Sequence, residues 1–395
     1  MLSIKASIVD VYKKLTKFER SVGVIYNGVD NLYPERVDRF INNSVTAKTC
    51  SKIMASYLTG KGWGAENDKI IVNEDELISL QKFTSKLSNS ASKQRGAFIH
   101  VNYDLNFKPC SYDVLPYSDC RLGKKDDDKY NGKIGISQDW DKKQVKEKDV
   151  LFVDVFNPKE KIVKHQINAT KGSTMVDKLR NYKGQIWYVN FDDEYTYALS
   201  QIDAVMNDCD SEAQASVYKN RSLRKGFFGK TLVITKPLAG GLEEYNDEKE
   251  YYEAQSERTN FKDTIKDFIG AENVGDALHI EMEFDENEKL DDVILFKDIS
   301  ASVDDKLFAY TESSVFNNIL MAFNSIPPAL VRPENSVFSA SGESIKNMQI
   351  VYQDNTINER NQIQQTVQYL MSIFCKPIYG IEIESLIEPV IKKEE

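Results

Sequence analysis

The sequence predicts an α+β fold, and three patterns support this prediction. In the first half of the chain, apolar residues alternate with polar ones in short runs, as in half-buried strands. In the second half, apolar residues recur at helical spacing over stretches too long for strands. Between two such stretches lies a short strand-rich segment. With 395 residues, of which 41% are hydrophobic and 28% charged, the chain can form two or three compact units.

The first half predicts a mixed α/β domain over residues 1–195. Before its strands, residues 44–58 place apolar side chains at helical spacing, and Gly60 follows as a helix terminator. We therefore expect a helix that packs on a sheet. The runs with the alternation of strands are residues 97–101, 112–115 and 150–155.

Two long helices are predicted next. An apolar stripe that begins at Leu199 predicts a first helix of about 25 residues, which ends near Gly226 and which we assign to residues 196–226. Ser302 and Asp305 resemble a capping box, and they predict a second helix within residues 301–326. The pair Pro327-Pro328 ends it.

Residues 227–300, between the two helices, predict a small acidic α/β module. Between Glu243 and Asp298 the chain has nineteen acidic and six basic residues, a balance of −13, while the whole chain has a formal net charge of −10. Phosphate neutralisation needs clustered Lys and Arg, so this charge argues against a general DNA-binding surface. The predicted elements are strands at residues 231–235, 277–284 and 293–296 and a helix at residues 247–269.

The rest of the chain predicts a polar loop and one more helix. The loop is assigned to residues 327–343, and Ser341 is the expected N-cap of the helix that follows and runs to Phe374. We assign this helix and a short tail to residues 344–395.

The sequence contains neither an apolar signal core nor an apolar run long enough to span a membrane. We therefore expect neither secretion nor membrane insertion. The cysteines show no CxxC spacing, and we expect them to be reduced thiols in a cytosolic protein; they are Cys50, Cys110, Cys120, Cys209 and Cys375.

Common catalytic motifs are absent from the sequence, so we expect no enzyme, no cofactor and no metal site. His100, His165 and His279 lie far apart, and we expect them to be structural or exposed. Acidic runs leave one alternative open, a Mg²⁺-dependent nuclease or nucleotidyl transferase. Adjacent acids on a strand point to opposite faces, which favours solvated surfaces or helix caps instead. The runs are Asp192-Asp193-Glu194, Asp291-Asp292 and Asp304-Asp305.

The order of these elements resembles that of tailed-bacteriophage portal proteins, where the parts are called wing, stem, clip, second stem, tunnel loop and wing helix. Four stretches are also similar in sequence, and they follow the family's order from residue 27 to residue 374. The kind resembled is found in phages or prophages of Bacteroidetes-like hosts. Few residues follow Cys375, so a helical crown is expected to be absent or minimal. The similar stretches are Asn27-Gly28 with Asp30-Asn31-Leu32-Tyr33-Pro34 and the following residues 44–60, residues 220–228 before Leu232-Val233-Ile234, residues 323–328, and residues 338–343.

The resemblance implies a ring of about twelve copies at one capsid vertex, through which double-stranded DNA is packaged and ejected. It implies four partners besides the DNA: the terminase large subunit, a head-tail adaptor, the major capsid protein and the scaffolding protein. It implies no membrane. The expected location is the virion, with assembly in the host cytoplasm.

The resemblance also implies three groups of functional positions. The tunnel-loop positions are Arg332, Glu334, Asn335, Phe338 and Ser339. The positions near DNA, where the first stem helix meets the clip, are Lys219, Arg221, Arg224 and Lys225. The clip positions that face the terminase or the adaptor are Glu281, Glu283, Asp285 and Glu286.

Two alternatives to a portal subunit stay open at this stage. One is the Mg²⁺-dependent nuclease or transferase of a mobile element, which would need an acidic pair near a distant third carboxylate. The other is a different head-tail connector component. Connectors and adaptors are shorter chains without a helix-flanked insertion, so the length of this chain favours the portal interpretation.

Overall fold

The computed structural model describes residues 23–141, 145–192, 194–224, 230–235, 243, 245–268, 277–281, 294–299, 305–332 and 342–387. The chain forms two compact units. Unit 1 is built from two segments, Met1–Ala213 and Glu312–Glu395. Unit 2, Gln214–Thr311, is inserted between them in the sequence.

The described residues form eleven α-helices and eleven strands, and several strands or several helices follow one another along the chain, as in an α+β fold. The helices are α1 (Tyr33–Asn43), α2 (Val45–Thr59), α3 (Leu80–Gln94), α4 (Glu160–Ala169), α5 (Met175–Asn181), α6 (Met206–Arg224), α7 (Glu248–Phe268), α8 (Asp305–Ala322), α9 (Pro328–Val331), α10 (Gly342–Asn355) and α11 (Ile357–Ile373). The strands are β1 (Ile71–Asn73), β2 (Ile78–Ser79), β3 (Gly96–Tyr103), β4 (Pro109–Leu115), β5 (Cys120–Leu122), β6 (Lys133–Ile136), β7 (Leu151–Val155), β8 (Gln185–Asn190), β9 (Lys230–Thr235), β10 (Ala277–Glu281) and β11 (Ile294–Ile299).

Unit 1 contains a six-stranded mixed sheet in the order β4-β3-β8-β7-β6-β5. Only β7 and β8 pair in parallel within it, and the other neighbours are antiparallel. The three strands predicted in this half lie in β3, β4 and β7, so those predictions are confirmed. One large core cluster packs side chains of α1, α2, α3 and α11 with side chains of β3.

Helix α2 begins and ends where local sequence signals predict. The Ser44 hydroxyl accepts a hydrogen bond from the Ala47 N–H at 2.9 Å, as an N-cap does. At the other end Gly60 adopts φ 62° and ψ −152°, a conformation that a side chain would disfavour. The buried face of the helix includes Cys50, Met54 and Leu58.

Unit 2 contains, in its described residues, α7, a three-stranded sheet of order β10-β9-β11, the part of α6 from Gln214 onward and the part of α8 up to Thr311. Strand β9 pairs in parallel with β10 and antiparallel with β11. A parallel pair needs a crossover connection, and α7 lies between β9 and β10 in the chain. The acidic helix and the three strands predicted here are therefore present.

The first long helix begins later than its apolar stripe predicts, at Met206 instead of Leu199. The Ser200 N–H donates to the Tyr33 hydroxyl at 3.0 Å, and the Ile202 N–H donates back to the Ser200 hydroxyl at 3.3 Å. A short 3-10 turn, Asp203–Val205, follows. These side-chain bonds compete with the helical ones and delay the helix.

The last predicted helix is two helices, because the chain breaks at Thr356. Thr356 has φ −104° and ψ 9°, and its hydroxyl donates to the carbonyl oxygens of Tyr352 and Gln353 at 3.0 and 3.3 Å. A threonine hydroxyl that bonds back to the preceding turn bends a helix. The predicted N-cap, Ser341, lies outside the described residues.

Candidate functional site

Several long-range polar contacts hold the parts of the two long helices that belong to unit 1. We call this region the helix root. It comprises residues 206–213 of α6, residues 312–322 of α8, and the unit 1 residues that hold them. All these residues belong to unit 1.

The Asn31-Leu32-Tyr33-Pro34 stretch is held by a fully buried arginine. Arg121 is 0% exposed, and its Nε donates to Asn31 Oδ1 at 2.7 Å while its Nη2 donates to Asn31 O at 2.6 Å and to Glu35 Oε1 at 2.9 Å. Its Nη1 donates to the carbonyl oxygens of Ser118 and Cys120. Burial raises the pKa of Glu35, although the Arg121 charge opposes this rise. The guanidinium thus joins this stretch to the β5 end of the sheet.

Tyr33, in the same stretch, forms hydrogen bonds with the turn that precedes α6. Its hydroxyl donates to Asp203 Oδ1 at 2.7 Å and accepts from the Ser200 N–H at 3.0 Å. Burial, and then the nearby Asp203 carboxylate, raise the pKa of Tyr33 well above its ordinary value. The tyrosine therefore stays protonated and fixes the turn that precedes α6.

Glu212 of α6 binds the N-terminus of α2. Its carboxylate accepts hydrogen bonds from the Ser44 and Thr46 hydroxyls, the second at 2.7 Å, and from the Thr46 N–H at 3.3 Å. Ser44 is the N-cap of α2, so the negative charge lies where free N–H groups and the helix dipole favour an anion. This contact ties the first long helix to the helical layer of unit 1.

The roots of α6 and α8 contact each other directly. Asn318 Nδ2 donates to Asp208 Oδ2 at 3.2 Å. Cys209 of α6 and Ile319 of α8 are both 0% exposed and belong to the large core cluster. Both long helices are therefore fixed by the same polar and apolar surroundings.

Residues on both sides of the break between α10 and α11 form hydrogen bonds with the segment that follows α8. Asn324 adopts a left-handed φ of 56°, and its Nδ2 donates to Asn355 O at 3.1 Å and to Glu359 Oε1 at 2.9 Å. The Tyr352 hydroxyl donates to Phe323 O at 3.1 Å. The turn after the second long helix is thus held by side chains of α10 and α11.

Only some of the functional positions implied by the resemblance lie among the described residues. Arg332 follows α9, is exposed, and its guanidinium lies 4.4 Å from the centre of the Phe316 ring on α8. Lys219, Arg221 and Arg224 belong to α6, and Glu281 is the last residue of β10. The other positions lie outside the described residues: Lys225, Glu283, Asp285, Glu286, Glu334, Asn335, Phe338 and Ser339.

Sequence patterns missed the polar residues of the helix root and of the segments next to it. Arg121, Asp203, Glu212 and Asn324 look like ordinary surface polar residues, and no periodicity marks them. One signal was available, the Tyr33-Pro34 pair at the start of α1, which the structure places in a buried contact.

Candidate metal ligands do not cluster in the residues that the structure describes: no group of three His, Cys, Asp or Glu side chains is placed to hold an ion. Asp192 lies 3.5 Å from the Arg95 guanidinium, while Asp193, Asp291, Asp292 and Asp304 lie outside the described residues. Among the described helices, none is long and apolar enough to cross a membrane.

Fold and helix root together define a class: an α+β protein with a compact unit inserted between two long helices. No protein-family model and no curated protein sequence matches the chain. Solved structures similar to it include the neck of a native gene transfer agent particle computed with C12 symmetry, at 13% identity and a TM-score of 0.44, and the neck of an empty particle computed with C6 symmetry, at 14% and 0.44. Both similarities cover 86% of this chain and 81% of the other.

A third similar structure is the virion of a native gene transfer agent particle, at 12% identity and a TM-score of 0.44 over the same shares of each chain. At these values the similarities by themselves assign no function to this chain.

Proposed function

We propose that this chain is the portal subunit of a tailed phage or phage-like particle. One observation carries the proposal: unit 2 is inserted between two long helices whose unit 1 ends are locked together. The order wing, stem, clip, stem and wing helix, which the sequence resembles, requires this topology. Chain length and the helix-flanked insertion favour a portal over a shorter connector component.

The helix root suits a subunit that transmits force. DNA that moves through a ring pushes and twists the segments that line its channel, and these segments must be held by the body of each subunit. Glu212 and Asn318 hold the two long helices through hydrogen bonds, and buried apolar side chains exclude water from the same place. Interiors of this density transmit strain instead of absorbing it.

The charge distribution supports a channel that DNA does not adhere to. Each phosphate contact with Lys or Arg adds salt-dependent affinity, so an acidic or neutral lumen favours sliding. The segment from Glu243 to Asp298 has a balance of −13. We further propose that Lys219, Arg221 and Arg224, with Lys225, make only glancing phosphate contacts. The acidic clip positions, among them Glu281, would face the terminase and later the adaptor.

The test of ring formation is negative-stain microscopy combined with mass photometry on the purified chain. We expect rings with a central channel and a mass close to about twelve subunits. A protein that stays monomeric at all concentrations, and also with capsid scaffolding protein added, would refute the proposal.

The test of the basic positions uses particles assembled with a quadruple variant, Lys219→Gln, Arg221→Gln, Arg224→Gln and Lys225→Gln. We expect intact rings and altered retention of packaged DNA at a given salt concentration. A matched control replaces four exposed lysines of unit 1, Lys48, Lys52, Lys82 and Lys346, with glutamine. If DNA retention of both variants equals that of the unaltered protein, these positions have no contact with DNA.

The nuclease alternative is tested separately. Of the first acidic run, the Asp192 carboxylate lies 3.5 Å from the Arg95 guanidinium, while Asp193 and the pair Asp291-Asp292 lie outside the described residues. We expect no Mg²⁺-dependent DNA cleavage by the purified chain. Cleavage that disappears in Asp193→Asn or Asp292→Asn variants would establish the alternative and overturn the portal proposal.

A further inference from the structure

Two of the five cysteines lie close to each other at an edge of the sheet in unit 1. Cys110 belongs to β4, the outer strand, and Cys375 follows the end of α11. The Cys375 N–H donates to the Pro109 carbonyl oxygen at 2.7 Å. Standard bond lengths then keep the Cα atoms of Cys110 and Cys375 within about 7 Å of each other. Disulfides join Cα atoms at about 4.4–6.8 Å, so a bridge needs little backbone movement.

Accessibility separates these two thiols from the other three. Cys110 and Cys375 are each half-buried, whereas Cys50, Cys120 and Cys209 are 0% exposed. A dissolved oxidant therefore reaches Cys110 and Cys375 in the folded protein and is excluded from the remaining cysteines.

The two thiols differ in reactivity. Burial, and to a smaller extent the neighbouring Asp104 carboxylate and Cys375, raise the pKa of Cys110 to about 11. Burial and Asp104 also raise the pKa of Cys375, but the Lys376 charge opposes the rise. The thiolate is the nucleophile, and the Lys376 charge favours the thiolate of Cys375, so we assign the first attack on an external disulfide to Cys375.

We propose that Cys110 and Cys375 form a reversible redox-modification site whose co-reactant is a small disulfide. The Cys375 thiolate attacks one sulfur of the oxidant, forms a mixed disulfide and releases one thiolate. Cys110 then gives up its proton and attacks the Cys375 sulfur, which forms the protein disulfide and releases the second thiolate. The two cysteines are oxidised by two electrons, and the small disulfide is reduced to two thiols.

The disulfide would link two parts of unit 1 that are far apart in the chain. Both long helices lie in the chain between Cys110 and Cys375, so oxidation joins the two segments from which unit 1 is built. In a reducing cytosol the thiols stay free, and outside the cell they oxidise. This inference concerns the isolated subunit and does not depend on the proposed portal function.

The experiment treats the reduced, purified full chain with cystamine, whose positive charges suit the acidic neighbours Asp104, Glu74 and Asp75. Free thiols are then blocked, and intact mass and peptide mapping are measured. We expect a product that has lost two hydrogen atoms and a linked peptide pair containing Cys110 and Cys375. We also expect the unfolding temperature of the oxidised chain to rise by several degrees, because the closed loop is long.

Three variants make the result decisive. Cys110→Ser and Cys375→Ser should each stop at a mixed disulfide, or at no product, and should show no rise in unfolding temperature. Cys120→Ala removes a buried thiol and should leave the bridge unchanged. The proposal is overturned if mixed disulfides persist in the unaltered chain, or if the bridge forms no faster in the folded protein than in urea.

Discussion

Glu212 is expected to hold the first long helix against the N-terminus of α2, and the change in unfolding free energy on replacing Glu212 measures the strength of that contact. Glu212→Gln keeps the shape of the side chain and removes its charge. The amide oxygen of the glutamine can then accept only neutral bonds at one end of the group, the amide nitrogen cannot accept the others, and the interaction with the α2 dipole is lost. A bond to a charged group contributes about 1.5–3 kcal/mol and a neutral one about 0.5–1.5. These bonds share one charge, so their differences do not add in full; one such difference, with about 0.3–1 kcal/mol from the dipole, predicts a loss of about 1–3 kcal/mol.

The assay is urea unfolding of the reduced chain, followed by tryptophan fluorescence and circular dichroism. Asp210→Asn is the matched control, because Asp210 is exposed on the same helix and its replacement removes the same charge. Thr46→Val, alone and combined with Glu212→Gln, completes a double-mutant cycle. We expect a coupling energy of about 1 kcal/mol between positions 46 and 212.

Equal unfolding free energies for Glu212→Gln and Asp210→Asn would refute this reasoning. A coupling energy of zero in the cycle would do so independently. Either result would mean that the bonds at the N-terminus of α2 are replaced by water without loss.

Three further predictions concern stability. Arg121→Met leaves several buried acceptors without a donor and should cost about 3 kcal/mol or more of unfolding free energy, measured in urea. Burial raises the pKa of Asp38 in the folded protein. At pH values above the ordinary pKa of a carboxyl group, ionised Asp38 therefore lowers the free energy of unfolding, and at pH values below it this loss is absent. Asp38→Asn should therefore stabilise the protein more at about pH 7 than at about pH 4. Gly60→Ala should cost about 2–4 kcal/mol, because its new Cβ would lie 2.3 Å from the Glu384 carbonyl oxygen and φ is 62°.

Each of these predictions has an internal comparison. Arg36→Gln removes an ion pair with Asp30 at the surface and should cost less than about 1 kcal/mol, so a similar cost at Arg121 would contradict the role of burial. A stability difference for Asp38→Asn that is equal at both pH values would contradict the pKa shift. Gly132→Ala has the same sign of φ and open space around it, so it should cost only about 1–2 kcal/mol.

The kinds of element and their order followed from local sequence. Ser44 and Gly60 mark the ends of α2 because a cap and a left-handed turn involve only neighbouring backbone groups. The second long helix, predicted to run from Ser302 to Phe323, is observed over Asp305–Ala322 for the same reason, since periodic apolar residues and a proline stop act within one segment. The inserted module was visible as a change of period and of charge.

Tertiary structure alone decided where α6 begins, where the last helix breaks and which polar residues matter. Ser200 delays α6 only because Tyr33, 167 residues earlier in the chain, comes within hydrogen-bonding distance. Glu212 reaches Ser44 across 168 residues, and Arg121 reaches Asn31 across 90. Sequence periodicity reports burial along one segment, whereas these contacts depend on which distant backbone groups the packed fold leaves unsatisfied, and only the folded chain determines that.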